Sequence, residues 1–328
     1  ETLELELYSY LKKSKSIYHS LSKQSDLLTV VDGCLQKIEN NYRKGSELPS
    51  NHYSINKIVH KLRLIKSNEE IAIIKKACKI SADAHINLMR KCKPNISEKK
   101  IESQLLYDFG SNNATEAYTS IVAGGKNACI LHYIDNSSNL KNGDLLLTDA
   151  ACEFEYYASD ITRTIPVNGK FTQDQKLIYS LVLKAQKNAI SKCIVGNTLQ
   201  DVHKAAVRTL TKGLIDLGLL RGDYKSIVKN ELYKKFYMHN TGHWMGLDVH
   251  DPLEYVCDGK PIKLKPGMIF TVEPGLYIRA DKDVNKRFHN IGIRIEDDIL
   301  ITKNGPDVLT SRAPKEIRDI ENTMNNIK

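Results

Sequence analysis

Hydrophobic and polar positions along the chain follow two different periods, and the change between them divides the sequence. In residues 1–43, Leu3, Leu5, Leu7, Tyr10 and Leu11, and later Leu27, Leu28, Val31, Leu35 and Ile38, recur among Lys and Ser, so this segment reads as helical. Residues 44–57 carry Gly, Pro, Ser and Asn at linker density, which places a domain boundary near residue 60. From Ser67 the pattern sharpens. A Ser cap, early glutamates and apolar residues at 71, 73, 74, 77, 80 and 84 predict an amphipathic helix. A second helix follows over about 97–110 on the same scheme, and further helices are expected over 172–192 and 198–217. Between and after them, TSIVAG, DLLLTDA, YYASDITRTIPV, MIFTVEP and NIGIRIEDDILIT read as strands whose alternation suits a mixed or antiparallel sheet. Helices interleaved with such strands define an α/β (α+β) fold.

One comparison organises the second half. LKNGDLLLTDA (140–150) and LKPGMIFTVEP (264–274) share a turn, an apolar strand and a carboxylate at the same offset, Asp149 against Glu273. Each is followed by a segment bearing a second acid, Asp160 in YYASDITRT and Glu296 in IGIRIEDD. A duplicated half-domain whose copies meet around a central site explains both pairs. Taken alone, any one of these acids reads as an exposed strand-end residue or a salt-bridge partner. Four together, at the ends of apolar strands where water is scarce, require cations or dense hydrogen bonding to stay charged.

The stretch HNTGHWMGLDVHD (239–251) adds His239, His243 and His250. His239 and His243 are four residues apart, but Gly242 and Gly246 break any helix and no Glu follows His239, so the HExxH metalloprotease arrangement is excluded. One imidazole joined to four carboxylates makes an oxygen-rich site. Such a donor set suits paired Mn²⁺, Co²⁺ or Fe²⁺ better than a structural zinc. Two ions about 3.5 Å apart, sharing a hydroxide and polarising a carbonyl, would hydrolyse an amide or ester.

Composition narrows the alternatives. With 328 residues at 41% hydrophobic, the chain can bury a sizeable core. The net charge of +9 comes from 48 basic and 39 acidic residues that are interspersed, a solvated face rather than a nucleic-acid groove. Seven dispersed cysteines without a CxxC fit a reduced compartment, and a nucleophilic role for Cys129 or Cys152 lacks a recognisable catalytic arrangement. No apolar run approaches the roughly 18 residues a membrane span needs. The sequence opens on glutamate rather than methionine, so an upstream N-terminus, with any targeting segment it carries, is expected.

HYIDNSSNLKNGDLLLTDAACEFEYYASDITRTIPVNGKFT, HNTGHWMGLDVHD, LKPGMIFTVEPGLYI and GIRIEDDILIT together resemble the Xaa-Pro aminopeptidase (aminopeptidase P) branch of peptidase family M24, the creatinase, prolidase and methionine aminopeptidase superfamily. The resemblance covers about residues 60–310. It implies the pita-bread fold, an internally duplicated curved antiparallel sheet flanked by helices and preceded here by a partial N-terminal helical segment. It implies a catalytic domain over 63–318 and, over 1–62, the remnant or C-terminal part of an N-terminal domain.

Carried over by residue, it makes Asp149, Asp160, His243, Glu273 and Glu296 ligands of two divalent ions, usually Mn²⁺, with Asp160 and Glu296 bridging. It gives His132, His239 and His250 to the substrate and to charge in the tetrahedral intermediate, adds Tyr277 and Arg294, and makes Glu273 a proton shuttle. Arg294, two residues before Glu296 on a strand, shares its face and could orient ligands and water. Tyr133, Tyr156 and Trp244 are expected walls of a proline pocket, with core packing the alternative for Trp244. The implied reaction is hydrolysis of the N-terminal Xaa-Pro bond by attack of a metal-bridging hydroxide. Its substrates would be peptides with proline second, and its setting the cytoplasm, or an organelle if a targeting segment lies upstream. A homo-oligomer, dimer or tetramer, is expected when the N-terminal domain is present. A prolidase restricted to dipeptides and a metal-free binding or scaffold descendant of the fold are the alternatives.

Overall fold

The computed structural model describes residues 2–20 and 26–325. The chain divides into two compact units, residues 1–62 and 63–328. In the first, α1 (Thr2–Leu11), β1 (Ser16–His19), α2 (Asp26–Asn40) and β2 (Asn51–Ser54) precede α3 (Asn56–Leu64). Leu11, Ile17, Cys34 and Ile38 form its small core. The helical reading of 1–43 holds for α1 and α2 but not for β1; residues 21–25 lie outside the described residues. β1 and β2 pair in parallel with Tyr18 opposite Tyr53, their rings stacked at 5.0 Å. That pairing joins segments about 35 residues apart, so neither the helical period nor linker composition could reveal it.

In the second unit α4 (Asn68–Lys91) starts at a capping box in which Ser67 and Glu70 satisfy each other's backbone N–H, and Ser97 caps α5 (Glu98–Gly110). There follow β3 (Thr115–Glu116), β4 (Ile121–Gly124), β5 (Leu145–Asp149), β6 (Cys152–Phe154), β7 (Tyr157–Ala158) and β8 (Thr162–Pro166). Helices α6 (Gln173–Ile190), α7 (Leu199–Asp216) and α8 (Tyr224–Lys229) lead to β9 (Val256–Cys257) and β10 (Lys260–Pro261). The second copy of the repeat comprises β11 (Ile269–Val272), β12 (Gly275–Ile278), β13 (Ile291–Arg294), β14 (Asp297–Thr302) and β15 (Gly305–Val308), before α9 (Ile317–Asn325). The unit therefore runs past residue 318, and Ile320 and Met324 of α9 join the main core.

The duplication is visible in the pairing. β4, β5 and β8 form one antiparallel sheet; β11, β14 and β15 form another, with β12 and β13 as a separate antiparallel pair. This is the pita-bread architecture, with α4, α6 and α7 supplying Ile80, Ile178, Val182 and Leu210 to the core that receives Leu146, Ile165 and Ile293 from the strands. Leu145, Leu146, Leu147 and Thr148 are all buried, so β5 is covered on both faces and reads as a continuous apolar run rather than an alternation. NIGIRIEDDILIT, read as one strand, is two. β13 pairs with β12 and β14 with β11, and the break between them falls at Ile295 and Glu296. Changing partners at that point leaves Glu296 outside either ladder.

Candidate metal centre

The acids of each half sit where its strands end. Asp149 is the last residue of β5, paired with Thr162 of β8, and Asp160 lies two residues before β8. Glu273 directly follows β11, and Glu296 directly precedes β14. The halves are bolted together here. The Glu296 N–H donates to the Thr162 carbonyl (3.1 Å), the Thr162 hydroxyl donates to Glu296 Oε2 (2.6 Å), and the Asp160 N–H donates to Asp298 Oδ2 (2.9 Å).

The histidine-bearing segment has no regular structure and lies along β11. Thr271 N–H donates to the His243 carbonyl (2.9 Å), Glu273 N–H to the Thr241 carbonyl (2.8 Å), and His243 N–H to Thr271 Oγ1 (3.1 Å). Gly242 permits this approach: a Cβ there would lie 1.8 Å from the Thr271 carbonyl oxygen. The stretch is not helical, as Gly242 and Gly246 imply, and its pairing is limited to a single bridge from Trp244 to Phe270.

Asp149, Asp160, His243, Glu273 and Glu296 all line one cavity of about 630 Å³, together with His132, His239, His250 and Arg294. Asp160, His243 and Glu296 bring ligand atoms within 4.8 Å of one another, a metal-binding arrangement of two carboxylates and an imidazole. His243 Nδ1 donates to the Trp244 carbonyl (3.1 Å), which leaves Nε2 directed at Asp160 Oδ2 (3.3 Å) and Glu273 Oε1 (3.8 Å). Tyr277 stands behind the wall. Its hydroxyl accepts from Arg294 Nη1 (2.9 Å) and donates to His239 Nε2 (2.8 Å), the ring nitrogen that carries no hydrogen when Nδ1–H faces a backbone carbonyl. His239 Nδ1 donates to the Asn240 carbonyl (2.7 Å), so neither ring nitrogen has an N–H left for a ligand. Arg294 also donates from Nη2 to Asp149 Oδ2 (2.6 Å) and from Nε to Thr162 Oγ1 (3.1 Å).

Electrostatics show what the donor set lacks. Burial, and then the neighbouring acids Asp160, Glu273 and Asp149, hold the Glu296 carboxyl far above the usual range. Burial raises Glu273 to about 7 against the charges of His243 and Arg294. Burial opposes the charged form of His243, but its hydrogen bond to Asp160 and the charges of Asp160 and Glu273 outweigh it and raise the ring to about 9. His239 is lowered to about 3 by burial and by Arg294. Glu273 and Glu296, pushed toward their protonated forms unless positive charge is supplied, fit a site for cations.

Three expected pocket walls are not walls. Tyr133 is buried and donates to Glu98 Oε2 (2.8 Å). Trp244 is core, its Nε1 donating to the Glu254 carbonyl (3.1 Å) and its ring edge-on to Phe270. Tyr156 is 80% exposed because Glu155 and Tyr156, with φ of 48° and 69°, form the tight turn between β6 and β7. Ile121, Leu131, Ile134, Val249 and Tyr255 line the cavity instead. Sequence reasoning also missed Tyr118, whose hydroxyl lies 2.6 Å from Asp149 Oδ1 and 2.5 Å from Asp160 Oδ1. Nothing in TEAYTSIVAG marks that tyrosine; only the fold brings it to the acids. Cys129 and Cys152 are buried with thiols raised by burial, Cys129 to about 12, which leaves no reactive thiolate.

A duplicated sheet that gathers acids and imidazoles around a single cleft, three of them with ligand atoms close enough to share an ion, defines the class of protein with a carboxylate-rich metal site. The metallopeptidase family M24 profile matches residues 72–303, and the chain belongs to that family. It is 51% identical over 269 residues to the Xaa-Pro aminopeptidase of Haemophilus influenzae, covering 82% of this chain and 62% of that protein. It is 40% identical over 320 residues to the Xaa-Pro aminopeptidase of Escherichia coli, covering 97% and 72%. Among solved structures, Pseudomonas aeruginosa aminopeptidase PepP superposes with a TM-score of 0.96 at 42% identity, over 98% of this chain and 73% of that one. The chain thus spans under two thirds of the length of the Haemophilus relative.

Proposed function

We propose that this chain carries the catalytic part of a metal-dependent aminopeptidase that hydrolyses the N-terminal Xaa-Pro bond of peptides longer than two residues. The observation that carries the choice over a prolidase is the state of the cavity's cations. Among the described residues lining it, Arg294 is the sole guanidinium or ammonium, and each of its three nitrogens is already bound to Thr162, Tyr277 or Asp149. Its charge is already paired with Asp149 at 2.6 Å, so none of these lining residues offers an unpaired cation for the carboxylate of a dipeptide. The name of both curated relatives points the same way. The conjunction of acids and imidazole at one site disfavours a metal-free scaffold.

Asp149, Asp160, His243, Glu273 and Glu296 would hold two divalent ions, which we assign as Mn²⁺ from the predominance of carboxylate donors. Bound there, the ions would supply Lewis-acid polarisation of the scissile carbonyl and acidify the attacking water. The remaining work falls to side chains. The carboxylates attract the peptide's free amine. Ile121, Leu131, Ile134, Val249 and Tyr255 give the proline ring an apolar wall. His250, whose ring nitrogens have no hydrogen-bond partner among the described residues, is placed to donate to the developing oxyanion, and His132 contacts the substrate. Glu273 passes a proton to the proline nitrogen, which carries no hydrogen before cleavage. His239 holds the Tyr277 hydroxyl and through it Arg294.

All seven cysteines are free, which supports a reducing, cytoplasmic setting, and no helix of the described residues is long and apolar enough to cross a membrane. We read residues 1–62 as the C-terminal part of an N-terminal domain and the whole protein as a homo-oligomer. Exposed Leu3, Leu5 and Tyr10 support a unit that packs against further protein. The deciding experiment assays metal-depleted protein, with and without Mn²⁺, on Xaa-Pro dipeptides and on Xaa-Pro-Yaa peptides. Metal-dependent cleavage of the longer peptides is expected; cleavage of dipeptides alone would select a prolidase, and cleavage of neither would refute the enzyme.

A further inference from the structure

His250 presents an unusual problem of support. It projects into the cavity with its ring edge-on to His243, centroids 4.2 Å apart, and no hydrogen bond from a described residue fixes either nitrogen. It sits in no helix or strand. Its direction must therefore come from the main chain on either side.

Asp251, the next residue, is anchored from beneath. Its side chain is 1% exposed and meets two cations: Arg63, in direct contact with Oδ1, and Lys66, itself 1% exposed, whose Nζ lies 3.5 Å from Oδ2. Arg63 also reaches Asp248 Oδ2 at 2.5 Å, so one guanidinium holds both acids of the LDVHD turn. Burial pushes the Asp251 carboxyl up and the Lys66 ammonium down, and each is opposed by the pairing. The backbone closes around the same point: Asp251 N–H donates to the Trp244 carbonyl (3.0 Å), and Lys66 N–H to the Gly267 carbonyl (2.9 Å). At Gly246 a Cβ would lie 2.7 Å from Asp251 Oδ2 and 3.0 Å from Lys66 Cε, so the turn is pressed against the ion pair. Arg63 and Lys66 precede the region that matches the family profile, and nothing in the proposed chemistry uses them.

We infer that Arg63, Lys66 and Asp251 form a positioning clasp that aims His250 into the cavity, and that they act on the reaction only through that ring. The inference rests on the aminopeptidase reading for its kinetic arm and on geometry alone for its spectroscopic arm. Removing the charge of Asp251 loosens the main chain on the C-terminal side of His250; because the Trp244 carbonyl accepts from both the Asp251 N–H and His243 Nδ1, Mn²⁺ occupancy is read beside kcat to separate an effect on His250 from one on His243. Burying an unpaired Lys66 is costly, so Asp251→Asn could unfold the protein; Arg63→Gln, on the more accessible side of the clasp, is the second variant.

The test is a double-mutant cycle in the full chain with Mn²⁺ and a Xaa-Pro-Yaa peptide. Asp251→Asn and Arg63→Gln should each lower kcat about tenfold or more with Mn²⁺ occupancy unchanged, and should cost nothing further in a His250→Ala background. An unchanged kcat, or losses that multiply with that of His250→Ala, would overturn the clasp. In the metal-free protein, the His250 ring signals in NMR should move toward those of a free histidine in both variants, and ring signals that stay put would overturn it as well. If the unaltered protein cleaves no peptide, the aminopeptidase reading fails, and the ring signals alone decide for or against the clasp.

Discussion

The two copies of the repeat put a carboxylate at the same place and then treat it oppositely. Asp149, ending β5, accepts from Tyr118 on one oxygen and from Arg294 on the other. Glu273, just beyond β11, receives one long hydrogen bond from Thr271 Oγ1 (3.4 Å) and has no direct ion pair to a guanidinium, only the rings of His239 and His243 at 3.7 and 3.8 Å. The cation that steadies Asp149 comes from the other half of the duplication. Duplication thus supplies position, whereas the electrostatics come from cross-contacts that the copies do not share. One acid is tied by short hydrogen bonds on both oxygens, and the other is left with a single long one.

The contrast can be broken most severely at the unsupported acid. Glu273→Gln keeps the shape and removes the proton carrier, and turnover with Mn²⁺ should fall about 10²–10⁴-fold in steady-state assays. A fall no larger than that of a surface acid would show that Glu273 moves no proton. At the supported acid the effect should appear in stability instead: Arg294→Met leaves the half-buried Asp149 without its cation and should cost about 3–5 kcal/mol in urea unfolding of the metal-free protein. An equal loss from removing a neighbour of Glu273 would erase the distinction between the halves.

Between the halves stands His243. Its folded value near 9 lies above the 6.5 of a free ring, so the stabilisation it gives the metal-free protein is complete below pH 6.5 and is lost as pH rises through 9. Unfolding free energy should therefore drop by about 3 kcal/mol across that window relative to His243→Gln, and saturating Mn²⁺ should reverse the trend because a ligand must be deprotonated. A pH profile shared by the two proteins would remove the imidazole from the acid cluster. The smallest effect is expected from Tyr118→Phe, which deletes one hydroxyl shared by Asp149 and Asp160 and should destabilise the metal-free protein by about 2 kcal/mol. Calorimetry with and without Mn²⁺ would check it, since metal and hydroxyl serve the same oxygens.

Much of this was legible in the residues. The capping signatures of α4 and α5, the apolar strands and the repeated strand-end acids are local patterns, set by the chemistry of neighbouring residues, and they singled out the four acids that line the cavity, while the choice of His243 among the histidines came from the family resemblance. β1 and β2 were not legible, nor was the division of NIGIRIEDDILIT into two strands, because both depend on partners distant in sequence. The same holds for the pocket walls. An aromatic residue near a motif does not disclose which way it faces, and Tyr133, Trp244 and Tyr156 face away while Tyr118 faces in.

The amino-acid sequence by itself thus determined which acids and which histidines are available, and which strands could carry them. Tertiary structure alone decided their surroundings: which nitrogen of His239 and His243 faces a backbone carbonyl, that Arg294 crosses to Asp149, and that Asp251, next to His250, meets Arg63 and Lys66. Periodicity is written by near neighbours, but a proton's position is set by burial and by charges that arrive from elsewhere in the chain.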